Sequence, residues 1–182
     1  MLRVPLHGVA PGQEARVRTV MDALRRIVRD LRLSGREVER RAGISGAQLF
    51  VLQTLAHGPA TSLNDLAVRT LTDQSSVSVV VRRLVDKKLV TRTTSAADAR
   101  RIELSVTAAG RRLLARCPEP TQARLVSALK RVTSTELVAL THGLSALVRE
   151  MGIEAAEPRM FFEEALSPRV RRGKRSAARD GA

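Results

Sequence analysis

The sequence predicts a mainly α-helical protein with one small antiparallel β-hairpin. Apolar residues recur every three to four positions over most of the chain, which is the helical period. The stretch 73–110 changes from this period to a period of two and then back again. Serine, threonine and aspartate stand at the points where helices would begin. These three observations place a short hairpin between helices.

The first predicted helix runs from Gln13 to about Leu33, after an irregular arm at 1–12. Its apolar residues step by three, four and seven positions and form one stripe, and most of its arginines lie off that stripe. A helix of this length spans roughly 30 Å. That is long for a small domain, so we expect part of the stripe to face another subunit.

Three shorter helices with tight joints follow. A capping box at 45–48 opens the first, a start signal at 62–65 opens the second, and Thr72-Asp73 caps a third that runs to about Lys88. This arrangement indicates a helix-turn-helix, whose last helix enters the major groove of DNA. The stripe of that last helix that we expect to be buried consists of Val77, Val80, Val81 and Leu84.

The segments Leu89–Thr94 and Arg101–Val106 alternate apolar and polar residues, which predicts two strands. Their connection is too short for a crossover, so the strands should pair antiparallel and form the wing of a winged helix-turn-helix. Thr107 caps the next helix, and two prolines interrupt it near Cys117. A capping box at 133–136 opens the last long helix.

The predicted organisation is one main domain with a C-terminal extension. We expect the main domain at 13–151, with its DNA-binding part at about 45–107. A short extension at 152–166 precedes a basic tail at 167–182, which we expect to be disordered because it holds few apolar residues.

The charge balance predicts a polyanionic partner. The chain has 32 Lys and Arg against 18 Asp and Glu, a net charge of +14, and its pI is near 11.6. Nucleic acid is the first candidate and an anionic membrane surface the second. Residues 167–182 carry six basic side chains and one acidic one, a net +5, which leaves +9 for residues 1–166. An arginine-rich composition is also what a GC-rich genome produces.

Low aromatic content favours double-stranded DNA as the partner. Aromatic residues make up 2% of the chain, with no Trp or Tyr. Proteins that bind single strands usually stack bases on such rings, so a duplex fits better.

Several other classes of protein are disfavoured. Cys117 is the only cysteine, so no internal disulfide forms, and a reducing cytoplasm is the expected location. No apolar run reaches the ~18–20 residues that a membrane span needs, and the first residues are too polar for a signal peptide. The three histidines have no partners at metal-ligand spacing, and no catalytic motif occurs, so we expect no metal, no cofactor and no enzyme activity.

Over roughly residues 15–150 the chain resembles the MarR family of bacterial transcription regulators. The most specific part is the wing motif, Asp98-x-Arg100-Arg101 followed by Leu104-x-Val106-Thr107-x-x-Gly110. The segments that also match are Ile44-Ser45-x-x-Gln48, Leu52-x-x-Leu55, Leu63-x-x-Leu66-Ala67, Val77-Ser78, Leu84 and Leu89-Val90-x-Arg92. Two positions depart from the family pattern: Lys88 stands where glycine is usual, and Val79 where arginine is common.

The resemblance implies a homodimer in which each subunit supplies one winged helix to a palindromic operator. Dimerisation would fall on 13–33 and 108–151. It also implies a repressor that a small, often phenolic, anion releases from DNA. Whether binding represses or activates depends on the position of the operator, which the chain does not encode.

The predicted DNA contacts lie on the third helix of the helix-turn-helix and on the wing. Arg100 at the wing tip would enter the minor groove, and Asp98 would orient the wing by pairing with an arginine. Short hydroxyl side chains near the start of the helix, and arginines one to two turns later, suit base and phosphate contacts, and the N-terminus of the helix itself favours phosphate. The full set is Gln74, Ser75, Ser76, Ser78, Arg82, Arg83, Asp98, Arg100 and Arg101. The simpler interpretation is a solvated, capped helix face and a solvated turn.

The resemblance also implies a pocket for the effector, walled by the first two helices and the helix after the wing. Its candidate residues are Leu24, Arg25, Arg32, Arg36, Leu49, Phe50 and Gln53, with the arginines holding a carboxylate. An ordinary core with surface arginines is the simpler interpretation.

Three alternatives for the whole protein stay open: a nucleoid-type protein that coats duplex DNA without an effector, a regulator that senses oxidants through Cys117, and an effector-binding or partner-binding module without operator recognition.

Overall fold

A computed structural model describes residues 11–94, 102–156 and 160–161. Its elements, in chain order, are α1 (Pro11–Ala42), α2 (Gly46–Ala56), α3 (Leu63–Thr70), α4 (Gln74–Asp86), β1 (Val90–Thr94), β2 (Ile102–Val106), α5 (Ala108–Leu114), α6 (Thr121–Leu129) and α7 (Ser134–Glu150). The fold class predicted from the sequence, a mainly α winged helix-turn-helix with a small antiparallel hairpin, is confirmed.

Helix α1 is longer than its sequence pattern predicted. It begins at Pro11 and continues nine residues past Leu33, to Ala42. The Ser34-Gly35 pair does not end the helix, because Val38 lies seven positions after Leu31 and both side chains are buried. Gly43, with φ +62°, takes the left-handed conformation that ends the helix.

The core of the protein lies within the winged helix. Helices α2, α3 and α4 pack on one another, and the wing covers one side of α2. Four leucines from four different elements are completely buried there, namely Leu52, Leu66, Leu84 and Leu104. The caps predicted from the sequence are present: Ser45 and Thr133 form capping boxes, and Ser62, Asp73 and Thr107 each accept a hydrogen bond from the backbone of the first helical turn.

The wing is joined to the rest of the winged helix through the middle of β2 and through the residues that follow it. Strands β1 and β2 pair antiparallel from Val90 opposite Val106 to Thr94 opposite Ile102. On its other edge Leu104 exchanges two backbone hydrogen bonds with Ala60, of 2.8 and 3.0 Å, from the loop between α2 and α3. Gly110 lies so close to this joint that a Cβ there would be 2.4 Å from the carbonyl oxygen of Leu89. These contacts fix the direction in which the hairpin leaves the helices.

Helices α1 and α7 differ from the rest of the fold. Helix α7 buries none of its residues, although its sequence has an apolar stripe. The first twenty residues of α1 are also largely exposed, including Val17, Val20 and Ile27. Within the described residues no helix is both long and apolar enough to cross a bilayer.

Candidate nucleic-acid interface

Helix α4 separates a buried face from an exposed one. The stripe predicted to be buried, Val77, Val80, Val81 and Leu84, is buried. The exposed side carries Gln74, Ser75 and Arg82, and Ser78 lies at its half-buried margin. The packing of α4 on α2 and α3 therefore holds one polar, basic face of the helix outward, with the wing next to it in the chain.

Asp73 occupies the N-terminus of α4. Its Oδ1 accepts hydrogen bonds from the hydroxyl of Ser75 at 2.5 Å and from the backbone N–H of Ser76 at 2.8 Å. The Ser75 hydroxyl is the main cause that lowers the pKa of Asp73 from 3.8 to about 2, followed by the Ser76 N–H. A carboxylate therefore lies at this helix end and offsets the partial positive charge that would favour a phosphate there.

Two predicted contact residues on α4 lie away from the exposed face. Ser76 is only 5% exposed, since it points toward the domain interior beside the Asp73 cap. Arg83 is half-buried and lines a cavity of about 240 Å³ together with Glu39 and Asp86. Arg82 is thus the arginine of this pair that faces solvent. Adjacent helical residues differ in direction by about 100°, and here that rotation turns Arg83 from the exposed side of α4 toward α1.

The turn from α4 into the wing forms although Lys88 replaces the usual glycine. Lys88 adopts φ +57°, the left-handed conformation that glycine takes without strain. Its carbonyl oxygen accepts a hydrogen bond of 2.9 Å from the hydroxyl of Thr107, which also caps α5. The turn therefore forms with some backbone strain in Lys88.

Two residues important to this region are absent from the predicted set. Arg92 is exposed on β1, opposite Leu104, and adds a cation to the wing. Arg69 donates hydrogen bonds to the carbonyl oxygens of Thr54, Gly58 and Pro59, at 2.6, 2.8 and 3.1 Å. The alternation of polar and apolar residues in Leu89–Thr94 already indicates that Arg92 is on the polar face of the strand. Arg69 was not indicated by a local pattern, because its partners are ten or more residues away in the chain.

The predicted wing-tip residues Asp98, Arg100 and Arg101 lie outside the described residues. Their placement at the tip follows only from the register of the strands on either side. Thr94 and Ile102 are the last pair, so the connection between them begins directly after this pair.

The predicted effector residues lie on α1 and α2 and differ in exposure. Leu49 and Phe50 are buried in the core of the winged helix. Arg25, Arg32 and Arg36 are exposed along α1, and Arg25 pairs with Asp22 at 2.8 Å. Leu24 is half-buried on the same helix, and Gln53 on α2 holds a buried Oε1 without a hydrogen-bond partner among the described residues.

A different cavity, of about 480 Å³, lies between α1 and α6. Its wall carries Ile27 and Leu31 from α1, and Thr121, Arg124 and Arg131 from α6 and the residues just after it. The buried hydroxyl of Thr121 has no hydrogen-bond partner among the described residues. Arg124 pairs loosely with Asp30 at 3.6 Å, and both groups are more than half exposed. The effector residues predicted from the sequence contribute nothing to this wall.

Cys117 lies half-buried between α5 and α6. Desolvation raises the pKa of its thiol, and the charge of Arg41 offsets this in part. A thiol with a raised pKa is a weak nucleophile at neutral pH, which weakens the oxidant-sensing alternative. Among the described residues, no group of three His, Cys, Asp or Glu side chains is close enough to hold a metal ion.

Comparison with known proteins supports the resemblance. The model of the MarR family matches residues 42–101. A Thauera aromatica protein described as a transcriptional regulatory protein for the hcr operon is 37% identical over 81 residues, which cover 44% of this chain and 49% of that protein. The HTH-type transcriptional repressor MdtR of Bacillus subtilis (strain 168) is 35% identical over 74 residues, which cover 41% and 48%.

The matched region spans about half the length of these two relatives. A solved structure of a MarR family transcription regulator superposes with a TM-score of 0.51 at 20% identity, over 81% of this chain and 97% of that one, and shows the shared fold. The matched segment, 42–101, contains α2, α3, α4 and β1. Over residues 42–101 the chain is therefore similar to the MarR family, and the solved structure shows that the fold is shared.

Proposed function

We propose that this protein is a dimeric transcription repressor that binds a palindromic DNA operator. The observation that carries the proposal is the exposed face of α4, on which Gln74, Ser75 and Arg82 stand beside a basic wing. A helix held in this way enters the major groove, where arginine and glutamine side chains contact base edges. Arg92, and the predicted contacts Arg100 and Arg101, supply cations for the backbone and the minor groove.

Dimerisation is proposed through α1 and α7. Seven apolar side chains of α7 and the turn after it are between 38% and 60% exposed: Leu137, Val138, Leu140, Leu144, Leu147, Val148 and Met151. The first half of α1 adds Val17, Val20, Met21, Ile27 and Val28. A monomer rarely leaves such a continuous apolar surface in water, so a second copy is the occupant that the resemblance and this exposure favour. A twofold dimer presents two copies of α4, which explains a palindromic site.

The test of DNA recognition compares Arg82→Ala with Arg112→Ala. Both residues are exposed arginines on helices, but Arg112 lies on α5, outside α4 and the wing. Duplexes selected from a random pool by the wild-type protein should share a twofold-symmetric sequence. On that duplex Arg82→Ala should weaken binding about 5- to 100-fold, the range for losing a phosphate or base-edge contact. Equal, small losses in both variants would refute the assigned face.

Release by a small anion is proposed to occur at the cavity between α1 and α6. Helix α6 packs on both α1 and α2, so a molecule bound there touches a proposed dimer helix and an element that packs on the winged helix. Arg124 and Arg131 offer cations and the Thr121 hydroxyl offers an unused hydrogen bond. Aromatic and aliphatic carboxylic acids should release the selected duplex from the wild-type protein. Arg131→Gln should weaken this response and leave binding without the acid unchanged.

A nucleoid-type protein that coats duplex DNA is the second candidate. The basic tail 167–182 favours it, because tail charges add affinity for any sequence. Competition between the selected duplex and random duplex at fixed salt separates the two. A specificity ratio near one supports coating, and a ratio of about 10³ or more supports an operator.

A further inference from the structure

Helix α4 carries two half-buried valines with different surroundings. Val79 and Val85 are both partly accessible to solvent. Val85 packs against the hydrophobic core cluster, whereas Val79 is not one of the half-buried apolar side chains that pack on this cluster within the described residues. Packing of the core therefore explains why position 85 is apolar, but it does not explain Val79.

Val79 lies on the side of α4 that we propose contacts DNA. It follows Ser75 by four positions and precedes Arg82 by three, and residues three or four apart are neighbours on the surface of a helix. Ser75 and Arg82 are both exposed, and the buried stripe of α4 lies on the other side of the helix. Val79 is thus a small apolar surface between a hydroxyl group and a guanidinium group.

A valine side chain in the major groove favours one base over the other three. It has no hydrogen-bonding atom, so a base-edge donor or acceptor that it covers loses water without gaining a partner, which costs binding energy. Among the groups that distinguish the four bases in the major groove, only the C5 methyl of thymine is apolar. The base that fits an apolar side chain at this position is therefore thymine.

We propose that Val79 is a specificity-determining residue, which contacts the C5 methyl group of a thymine in each half-site of the operator. This role rests on the function proposed above, since it requires the exposed face of α4 to lie in the major groove of a twofold site. The Ser75 hydroxyl donates its hydrogen to Asp73, so its oxygen keeps an acceptor position for a base-edge N–H beside the thymine. Arg82 supplies donors on the other side.

The first test removes the methyl group from the DNA. Uracil differs from thymine only by the missing C5 methyl, so it replaces thymine at one position at a time in the duplex that the wild-type protein selects. At one such position uracil should weaken binding about 4-fold in one half-site and about 16-fold in both, the effect of losing one buried methyl group per half-site. The other thymines should tolerate the change.

The second test shortens the side chain. Val79→Ala should weaken binding to the thymine duplex and reduce the difference between thymine and uracil at that position to less than about twofold. Val85→Ala is the matched control, because Val85 is half-buried on the same helix but packs on the core cluster. It should lower the stability of the fold and leave the difference between thymine and uracil at its wild-type value.

A polar variant tests the same role without shortening the side chain. Val79→Gln keeps α4 intact, because glutamine favours a helix more than valine does. Its amide pairs with adenine rather than with a methyl group. Duplexes that this variant selects from a random pool should differ from the wild-type site at one base pair of each half-site and match it elsewhere. Selection of an unchanged site would contradict the role of Val79.

The outcomes separate this inference from the function on which it rests. If the wild type selected a twofold site in which no uracil weakened binding, the methyl contact would be refuted and the operator would stand. If Val79→Ala kept the full difference between thymine and uracil, another residue would make the contact. If the wild type bound selected and random duplexes equally, the proposed function itself would be overturned.

Discussion

The winged helix and the pair α1 and α7 both carry leucine and valine at helical spacing, but the winged helix buries these side chains whereas most of those on α1 and α7 are exposed. Leu52, Leu66, Leu84 and Leu104 are completely buried inside the winged helix. On α7 Leu144 is 45% exposed, and no residue of that helix is buried. An apolar stripe therefore predicts that one face of a helix will be covered. It does not predict whether the same chain or a second copy covers that face, because this depends on contacts between distant segments.

The largest expected effect comes from shortening one leucine in each region. Leu52→Ala should lower the free energy of unfolding by about 2–5 kcal/mol at any protein concentration, because it leaves a cavity in the core of one chain. Leu144→Ala should instead lower the melting temperature by an amount that grows on dilution, because its lost contact is with a second copy. Chemical denaturation and light scattering at several concentrations measure both. If Leu144→Ala lowered the melting temperature equally at all protein concentrations, α7 would be packed within one chain like the winged helix.

Replacing one glycine with alanine in each region compares how closely the winged helix and α7 are packed within one chain. A Cβ at Gly110 would lie 2.4 Å from the Leu89 carbonyl oxygen and 2.7 Å from a methyl carbon of Val106. Gly110→Ala should therefore destabilise the winged helix by about 1–3 kcal/mol, as overpacking does. A Cβ added at Gly143 on α7 would meet no described atom within 4 Å beyond its own helix backbone. Gly143→Ala should stabilise the isolated helix, and a weaker dimer in that variant would place Gly143 at the interface between copies.

Lys88 allows the stability of the winged helix to be changed separately from dimerisation, because its backbone strain lies within the winged helix. The left-handed conformation costs a residue with a side chain about 1–2 kcal/mol, and glycine avoids this cost. Glycine is also more flexible in the unfolded state, which cancels part of the stabilisation. Lys88→Gly should raise the free energy of unfolding by about 0.5–1 kcal/mol without changing the dimerisation constant. Leu71, with φ +53° at the end of α3, offers the matched variant Leu71→Gly. Destabilisation by Lys88→Gly would show that the lysine side chain makes a contact that outweighs the strain.

The smallest expected effect is the pH dependence of the α4 cap. Hydrogen bonds from Ser75 and Ser76 lower the pKa of Asp73 from 3.8 to about 2. The carboxylate therefore stabilises the fold fully above about pH 4, and this contribution is lost as the pH falls toward 2. Asp73→Asn keeps a capping acceptor but does not titrate, so the wild type should lose more stability than the variant between pH 4 and 2. Glu136→Gln is the counterpart on α7, where the Thr133 hydroxyl lowers the pKa of Glu136. Parallel pH curves for wild type and Asp73→Asn would contradict the role of the cap.

Much of the helix-turn-helix and wing was predictable because its signals are local. The capping serine, threonine and aspartate residues act within four positions of the helix that they open. The alternation of β2 reports one covered face, whereas β1 buries only Val90. The outward position of Arg82 also follows from the helical period. The end of α1 was not predictable, because Val38 extends the helix through burial against residues far along the chain.

Sequence alone therefore determined the order and type of the elements, the caps, the excess of positive charge and the resemblance to the MarR family. Tertiary structure alone decided that Ser76 and Arg83 leave the exposed face, that Arg69 fastens the α2–α3 loop, and that Met160 returns to the winged helix. The physical reason is the range of the interactions. Caps and periods act over one or two turns, whereas burial and hydrogen bonds between distant segments depend on which surfaces meet when the chain closes.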